Sequence, residues 1–590
     1  MELSCSKNSA ITRILAIASL AVFSNVVTAH GDLTDDAGRL ENHGHSSNAS
    51  VLINGPDYLP TYFALVDGRS MIYAHIVLMV VAWVFLLPVA VMLSIARSRL
   101  TLPSQIAFTL VNALGVFFAY TYNSQTPDLY PNNAHHLIGW VATLVLLTQL
   151  LIGVIGRSAE FIKYKASGEK SSAGLIPHED SETMLLGQAF EEGAGRSSYD
   201  SGQGTELGTQ SLRGSSLSTL DDEDTPLNQF GDNGQRFPHI SRSSTTSPIS
   251  GLGTLKFKTN RVAVFWIGKY FGFLYRAVDR IILPLGFITI TTGIATFGRF
   301  FEGQAIFSGL AHWIKGGVFF WLGLLTLGRW SGCFAELGWA WNLTPMTDGR
   351  EQRPPSAELI ESGLIFFYGS TNVFLEHLGA WGEEWSPEDL EHLSITILFI
   401  GGGLCGMLVE SATIRALLNT TASAADLGGP DEEEAKPQWD APRMYKVSMN
   451  PVPALVILLL GIMMSSHRQA TMISSMVHNQ WGSLLAGASF ARGMTYILLF
   501  LRPPNSVLPS RPPSELLASF GLIAGGIMFM ASSSDTIKGM VHYNLDAMFM
   551  YTVTMGCVGL VMAWEIIVLA IKGWAVRKEA RSSSTMHGLL

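Results

Sequence analysis

Charge is scarce in this sequence. Of 590 residues, only 14% are Asp, Glu, Lys or Arg, against roughly 25% in an ordinary soluble domain. With 48% hydrophobic residues, that deficit excludes a disordered chain, a fibrous protein and a string of soluble domains. Cysteine is scarcer still. Cys5 lies in the N-terminal leader, and Cys333, Cys405 and Cys557 lie in or beside apolar runs, so the 4 cysteines form no disulfide framework. No basic stripe with interleaved aromatics is present and the net charge is -9, which argues against nucleic acid as a partner. The chain also lacks a P-loop, a C-x-x-C pair and any Ser/His/Asp arrangement of recognisable spacing.

What the chain has instead is apolar sequence in runs of membrane-spanning length. They lie near residues 70–95, 104–122, 134–156, 279–300, 308–328, 358–376, 391–411, 450–467, 479–501, 514–534 and 547–571. The expected fold is therefore all-α, a polytopic membrane protein of about 11 helices. Ahead of the first run, Lys7 and Arg13 precede an apolar stretch from Ile14 to Phe23 and the small residues Val27-Thr28-Ala29. Residues 1–29 thus read as a signal peptide, the alternative being an uncleaved anchor.

Segment 30–69 is polar, and Asn48-Ala49-Ser50 is a glycosylation sequon that requires a lumenal or extracellular position. An odd number of spans then leaves the C-terminus, residues 573–590, in the cytosol. The positive-inside rule agrees: Arg97, Arg99, Arg157, Lys163, Arg350, Arg502, Lys572 and Arg577 all fall on sides assigned to the cytosol. Residues 157–260 carry 24 of the charged residues and 17 Ser, with the acidic run Asp221-Asp222-Glu223-Asp224. That segment reads as a disordered cytosolic loop. It separates the helices of 70–156 from those of 261–330, and 331–572 forms a C-terminal membrane domain.

Histidines inside the apolar runs are the strongest chemical signal, because a coordinating side chain is costly in a bilayer. Helix one carries His75-Ile-Val-Leu-Met79 followed by Trp83, and helix three opens with Ala134-His135-His136-Leu137-Ile138-Gly139. Two imidazoles at matching depth on neighbouring helices can supply both axial ligands of a haem b. Gly139, one turn after His135, leaves space for a flat macrocycle on the same face. His135 is the preferred ligand and His136 the register alternative.

These residues resemble the H-x-x-L-M-x-x-x-W and H-x-x-x-G signatures of cytochrome b561 and ferric-reductase-type membrane domains. The resemblance implies a four-helix core holding two haems and passing electrons across the membrane. This sequence departs from it at the second haem: Pro103-Ser104-Gln105-Ile106 has no His, and Leu274-Tyr275-Arg276-Ala277-Val278-Asp279 offers Tyr or Asp where the partner ligand belongs. The whole chain also resembles a fungal integral membrane family, the Ytp type, through GLAHWIKGGVFFWLG, LEHLGAWGEEW and SSHRQATMISSMVHNQWGSL.

A second constellation occupies the C-terminal half. His312, His377, His392, His467, His478 and His542, with Glu376, Glu391 and Asp535, all fall at outer helix ends in the topology above. Imidazoles mixed with carboxylates suit a transition metal such as Zn, Cu or Fe, and His377, His392, His467, His478 and His542 are the candidate ligands. His467 and His478 are 11 apart, so a continuous helix would place them on one face. Arg492 and Glu565 are a candidate intramembrane ion pair, and Gly402, Gly406, Gly521, Gly525 and Gly526 are candidates for close helix contacts. The functional expectation is a single-haem redox protein exchanging electrons with a lumenal or extracellular partner. The alternatives are a non-haem transport or metal-handling protein and a membrane scaffold.

Overall fold

The computed structural model describes residues 60–171, 261–303, 305–345, 354–372, 385–424, 447–466 and 469–587. The leader, Asn48, most of the segment 157–260, His377 and His467 lie outside them. Among the described residues the chain is helical throughout. The elements are α1 (Arg69–Ile95), α2 (Thr101–Gln125), α3 (Ala134–Ser171), α4 (Arg261–Gly298) and α5 (Ala305–Ser331). They continue with α6 (Ala357–Asn372), α7 (Pro387–Glu410), α8 (Ala412–Ala424), α9 (Val452–Ser466), α10 (Met472–Leu501), α11 (Pro513–Ala531), α12 (Ser534–His542) and α13 (Ala547–His587).

Nine of these are long and apolar enough to cross a membrane: α1 to α5, α7, α10, α11 and α13. The apolar runs expected at 358–376 and 450–467 also form helices, α6 and α9. Their 16 and 15 described residues are shorter than the roughly 20 that a full span needs. Helix starts follow local chemistry. Ser386 caps α7 in a reciprocal box with Asp389, with Pro387 at the first helical position, and the Thr471 hydroxyl accepts from the Ser474 amide at α10.

Helices α1 to α4 share one core, in which Trp83, Leu87, Phe108, Leu146 and Ile282 interlock. Within α1, residues Val81–Leu86 form a π turn. Its cause is Pro88, which has no N–H to give the Val84 carbonyl one helical turn earlier. That carbonyl instead accepts a 2.8 Å hydrogen bond from the indole of Trp564, on the last helix. The bond ties α13 to the first four helices, and α13 also packs on α5 and α11.

The C-terminal helices pack around Trp481 and Phe529, whose rings stack at 4.1 Å with 6° between planes. Glycines set the closeness of these helices. A Cβ at Gly316 of α5 would lie 2.6 Å from the carbonyl oxygen of Gly526 on α11, and one at Gly461 of α9 2.6 Å from that of Gly482 on α10. Gly521 and Gly525 face α10, Gly402 faces Val456, and Gly406 faces Ser362. The expected small-residue contacts are therefore present.

Candidate functional site

The helices of the first bundle bring His75 and His135 together. Their imidazole centroids are 6.4 Å apart and their planes cross at 71°. Each ring is held through Nδ1. His75 Nδ1 is 2.9 Å from the backbone oxygen of Gly115 on α2, a pure acceptor, so this nitrogen donates. His135 Nδ1 is 3.3 Å from Thr292 Oγ1 on α4. The Thr292 hydroxyl already gives its one proton to the carbonyls of Ile288 and Thr289. It therefore accepts from His135. With Nδ1 donating in both rings, each Nε2 would keep its lone pair, the form that ligates a metal.

His136 is exposed, and its Nε2 accepts from Trp140 Nε1 on its own helix at 3.2 Å. A Cβ at Gly139 would meet nothing within 4 Å, so the face one turn from His135 is open. Trp83 of the signature is buried and donates to Asn112 Oδ1 at 3.0 Å, while Asn112 donates to Thr143. These bonds join α1, α2 and α3 about two turns from His75.

At the opposite end of the same bundle, the residues standing where a second haem would need histidines bond to one another. Gln105 Nε2 donates to Tyr275 OH at 3.0 Å, Ser94 lies 3.2 Å from the same hydroxyl, and Ser94 Oγ donates to Asp279 Oδ2 at 2.7 Å. Gln149 Nε2 donates to Asp279 Oδ1 at 2.6 Å. A cavity between Asp279, Gln105, Gln149 and the apolar wall of Leu87, Val91 and Phe108 has a volume of ≈ 10 Å³, enough for about one water. A macrocycle has no place there.

The C-terminal histidines are only partly brought together. His478 lies with His312 at a centroid separation of 6.0 Å. Both Nδ1 atoms face carbonyl oxygens one turn back, Ser308 for His312 and Ser474 for His478, each at 2.8 Å. His312 also packs edge-on against Phe529, and His478 packs against Trp481 with the rings tilted at 55°. His392 is half-buried on α7, whereas His542 is exposed at the end of α12 and packs edge-on against Tyr543. The one-face alignment of His467 with His478 required a continuous helix, and the described residues do not carry one: α9 ends at Ser466 and α10 starts afresh at Met472. Among the described residues no group of three or more His, Cys, Asp or Glu is arranged to hold a metal ion. Asp535 serves as a backbone anchor, accepting from the Phe301 amide at 2.8 Å.

The expected pair of Arg492 with Glu565 does not form. Arg492 Nε lies 2.8 Å from Glu515 Oε1, and its Nη1 lies 3.4 Å from Glu361 Oε2. Arg329 binds Glu361 Oε1 at 3.0 Å and Glu358 Oε1 at 3.1 Å. The indole of Trp341 lies under both guanidiniums, 4.4 Å from Arg329 and 5.9 Å from Arg492. Glu565 instead lies against Gly328 on α5, with Oε2 buried and without a hydrogen-bond partner.

The model of a domain of unknown function, DUF2427, matches residues 57–159, and the family model described as Protein YTP1-like, C-terminal, matches residues 285–573. An uncharacterized membrane protein of Schizosaccharomyces pombe is 35% identical over 86% of this chain and 94% of its own length. The chain belongs to the YTP1-like family. An uncharacterized membrane protein of Saccharomyces cerevisiae is 33% identical over 88% of this chain and 86% of its own. Protein YTP1 of the same yeast is 25% identical over 48% and 53%. No solved structure matches the chain. Within this YTP1-like protein, His75 and His135 fall in the DUF2427 match, and the Arg329–Arg492 cluster falls in the C-terminal match.

Several members of both sites escaped the sequence reading. Gly115 and Thr292 act through a backbone oxygen and a hydroxyl on other helices, for which sequence carries no local mark. Arg329, Glu358, Glu361 and Glu515 did carry one: charges within or at the ends of apolar runs, with Glu358 and Glu361 at helical i,i+3 spacing.

Proposed function

We propose that this chain is a single-haem b-type redox protein, with His75 and His135 as the axial ligands. The carrying observation is the separation of the two imidazoles with both Nε2 lone pairs available. Metal–imidazole bonds of about 2 Å, one on each side of an iron, put ring centroids roughly 6 Å apart. The open face at Gly139 supports the fit. When bound, the haem supplies reversible one-electron exchange. The protein's residues orient the ligands: Gly115 and Thr292 fix both tautomers, and Trp83 with Asn112 holds α1 against α2.

In this reading α1 to α4 form a cytochrome b561-like core reduced to one haem near the outer face. The chain crosses the membrane eleven times in the secretory pathway, with α6 and α9 completing the count, its N-terminus outside and its C-terminus in the cytosol. The electron partner is then lumenal or extracellular. The absorbance spectrum of the purified, dithionite-reduced chain tests this. A Soret band and an α band are expected, and both should be lost in His75→Ala and in His135→Ala. Their failure to develop with haem supplied removes the redox reading. Persistence of both bands in the two variants removes the ligand assignment.

A second reading, metal handling at the outer face, rests on the His312–His478 pair, which repeats the same Nδ1-held arrangement. Elemental analysis of the purified chain against His312→Ala and His478→Ala distinguishes it. Equal metal content in all three sinks it.

A further inference from the structure

The C-terminal bundle encloses three carboxylates and two guanidiniums. Glu358, Glu361, Glu515, Arg329 and Arg492 are each more than nine-tenths buried, and Glu515 and Arg329 are 0% and 2% exposed. They meet at one end of the bundle, from the last turn of α5, the first turns of α6 and α11, and the third turn from the end of α10. Fully ionised, the five would leave one uncompensated negative charge. Burial of an unpaired charge in a low-dielectric interior is costly enough that such groups take up a proton instead.

Among the described residues, the cations paired with these carboxylates are Arg329 and Arg492. Helix α9 contributes only apolar residues to this region, including Ala454 and Ile457. On α7 the nearest ionisable group is Glu410, engaged by the hydroxyls of Ser356 and Ser448 at 2.7 Å each. On α13, Glu565 lies against Gly328 of α5, and Lys572 follows two turns later on the same helix. Trp341 closes the cluster on the loop side, and Thr326 accepts from Arg492 Nη2 at 3.0 Å.

Two further observations point to a mobile ligand rather than a fixed set of pairs. The Tyr496 hydroxyl is buried without a hydrogen-bond partner, one turn from Arg492 on the same face of α10. A cavity of ≈ 20 Å³ also touches Glu361, Ser489 and Arg492, room for about one water beside the carboxylates. A hydroxyl and a water position are the parts that a proton needs to reach a buried acid.

We propose that the Glu358–Glu361–Glu515 cluster is a proton-binding site: the bundle holds one exchangeable proton, shared among three carboxylates and balanced against Arg329 and Arg492. The binding step is transfer of a proton from bulk hydronium, by way of water at the cavity, to a carboxylate oxygen: one O–H bond forms on the carboxylate as one breaks on the hydronium, which is left as water. This site stands apart from the His75–His135 pair and does not rest on the haem reading.

Infrared difference spectroscopy on the full chain in detergent micelles tests it. Glu358→Gln, Glu361→Gln and Glu515→Gln each remove the surplus charge, so each should delete the same protonated-carboxyl C=O component of the wild-type spectrum. That component should shift when the protein is transferred to D2O, and it should survive in Glu565→Gln, which removes a separate acid. Circular dichroism and gel filtration identify any variant that fails to fold, and the remaining variants then carry the comparison. The proposal is overturned if the component survives in every folded variant of the three. It is equally overturned if wild type lacks the component, or if elemental analysis finds a bound monovalent cation in its place.

Discussion

The indole nitrogen of Trp564 donates to the carbonyl oxygen of Val84, 480 positions away in sequence. Pro88 makes this bond available by withholding the helical donor, so a local break in α1 becomes a tertiary anchor for α13. Trp564→Phe keeps the aromatic packing against Phe85 but leaves the carbonyl unpaired. A loss of about 1–3 kcal/mol is expected, read as a lower unfolding midpoint in detergent. An unchanged midpoint would show that Val84 finds another donor.

The tautomer argument makes Thr292 a positioning residue for His135. Thr292→Val preserves shape and removes the acceptor. Haem retention should fall by about 10- to 100-fold, the usual cost of losing a ligand's hydrogen-bond partner. The Soret absorbance per mole of protein during haem titration measures it, and the shape of the retained spectrum separates reorientation of the ligand from its loss. Retention equal to wild type contradicts the assignment of Nδ1 as the donor.

Glycine substitutions should split by location. Gly316→Ala and Gly526→Ala place a methyl against backbone on the facing helix, and a destabilisation of roughly 1–3 kcal/mol is expected. Gly487→Ala, on α10 with nothing within 4 Å of a Cβ, should instead stabilise by up to about 1 kcal/mol through helix propensity. Thermal unfolding of the three variants decides the signs.

At the end of the first bundle away from the histidines, Asp279 accepts from both Ser94 and Gln149. Asp279→Leu leaves the Gln149 amide unpaired and Ser94 with Tyr275 as its remaining acceptor, and should cost about 1–3 kcal/mol. Asp279→Asn retains one acceptor oxygen and should cost less. Equal midpoints for the two variants would mean that water takes over both bonds.

Much of this was legible in the sequence, for reasons that differ by residue. Apolar runs report helices directly, because the bilayer demands about 20 apolar residues per span; the short α6 and α9 mark where that rule lost resolution. His75 and His135 were legible because imidazole is rare in hydrocarbon and their helical positions match in depth. The partner of Arg492 was not. An intramembrane arginine announces that a carboxylate is near, but helix order in space decides which one, and α6 and α11 reach it where α13 does not. The 11-residue spacing of His467 and His478 would align them only on one continuous helix, and Thr471 caps a new helix ahead of His478.

The hydrogen-bonded set of Ser94, Tyr275, Gln105, Gln149 and Asp279 has an electrical consequence. If His75 and His135 hold a haem as proposed, the described residues of α1 to α4 offer no second pair of histidines across the bilayer to receive its electron. An electron arriving there would then depart from the same face. Such turnover moves no net charge through the transmembrane field, so it would neither generate a membrane potential nor respond to one.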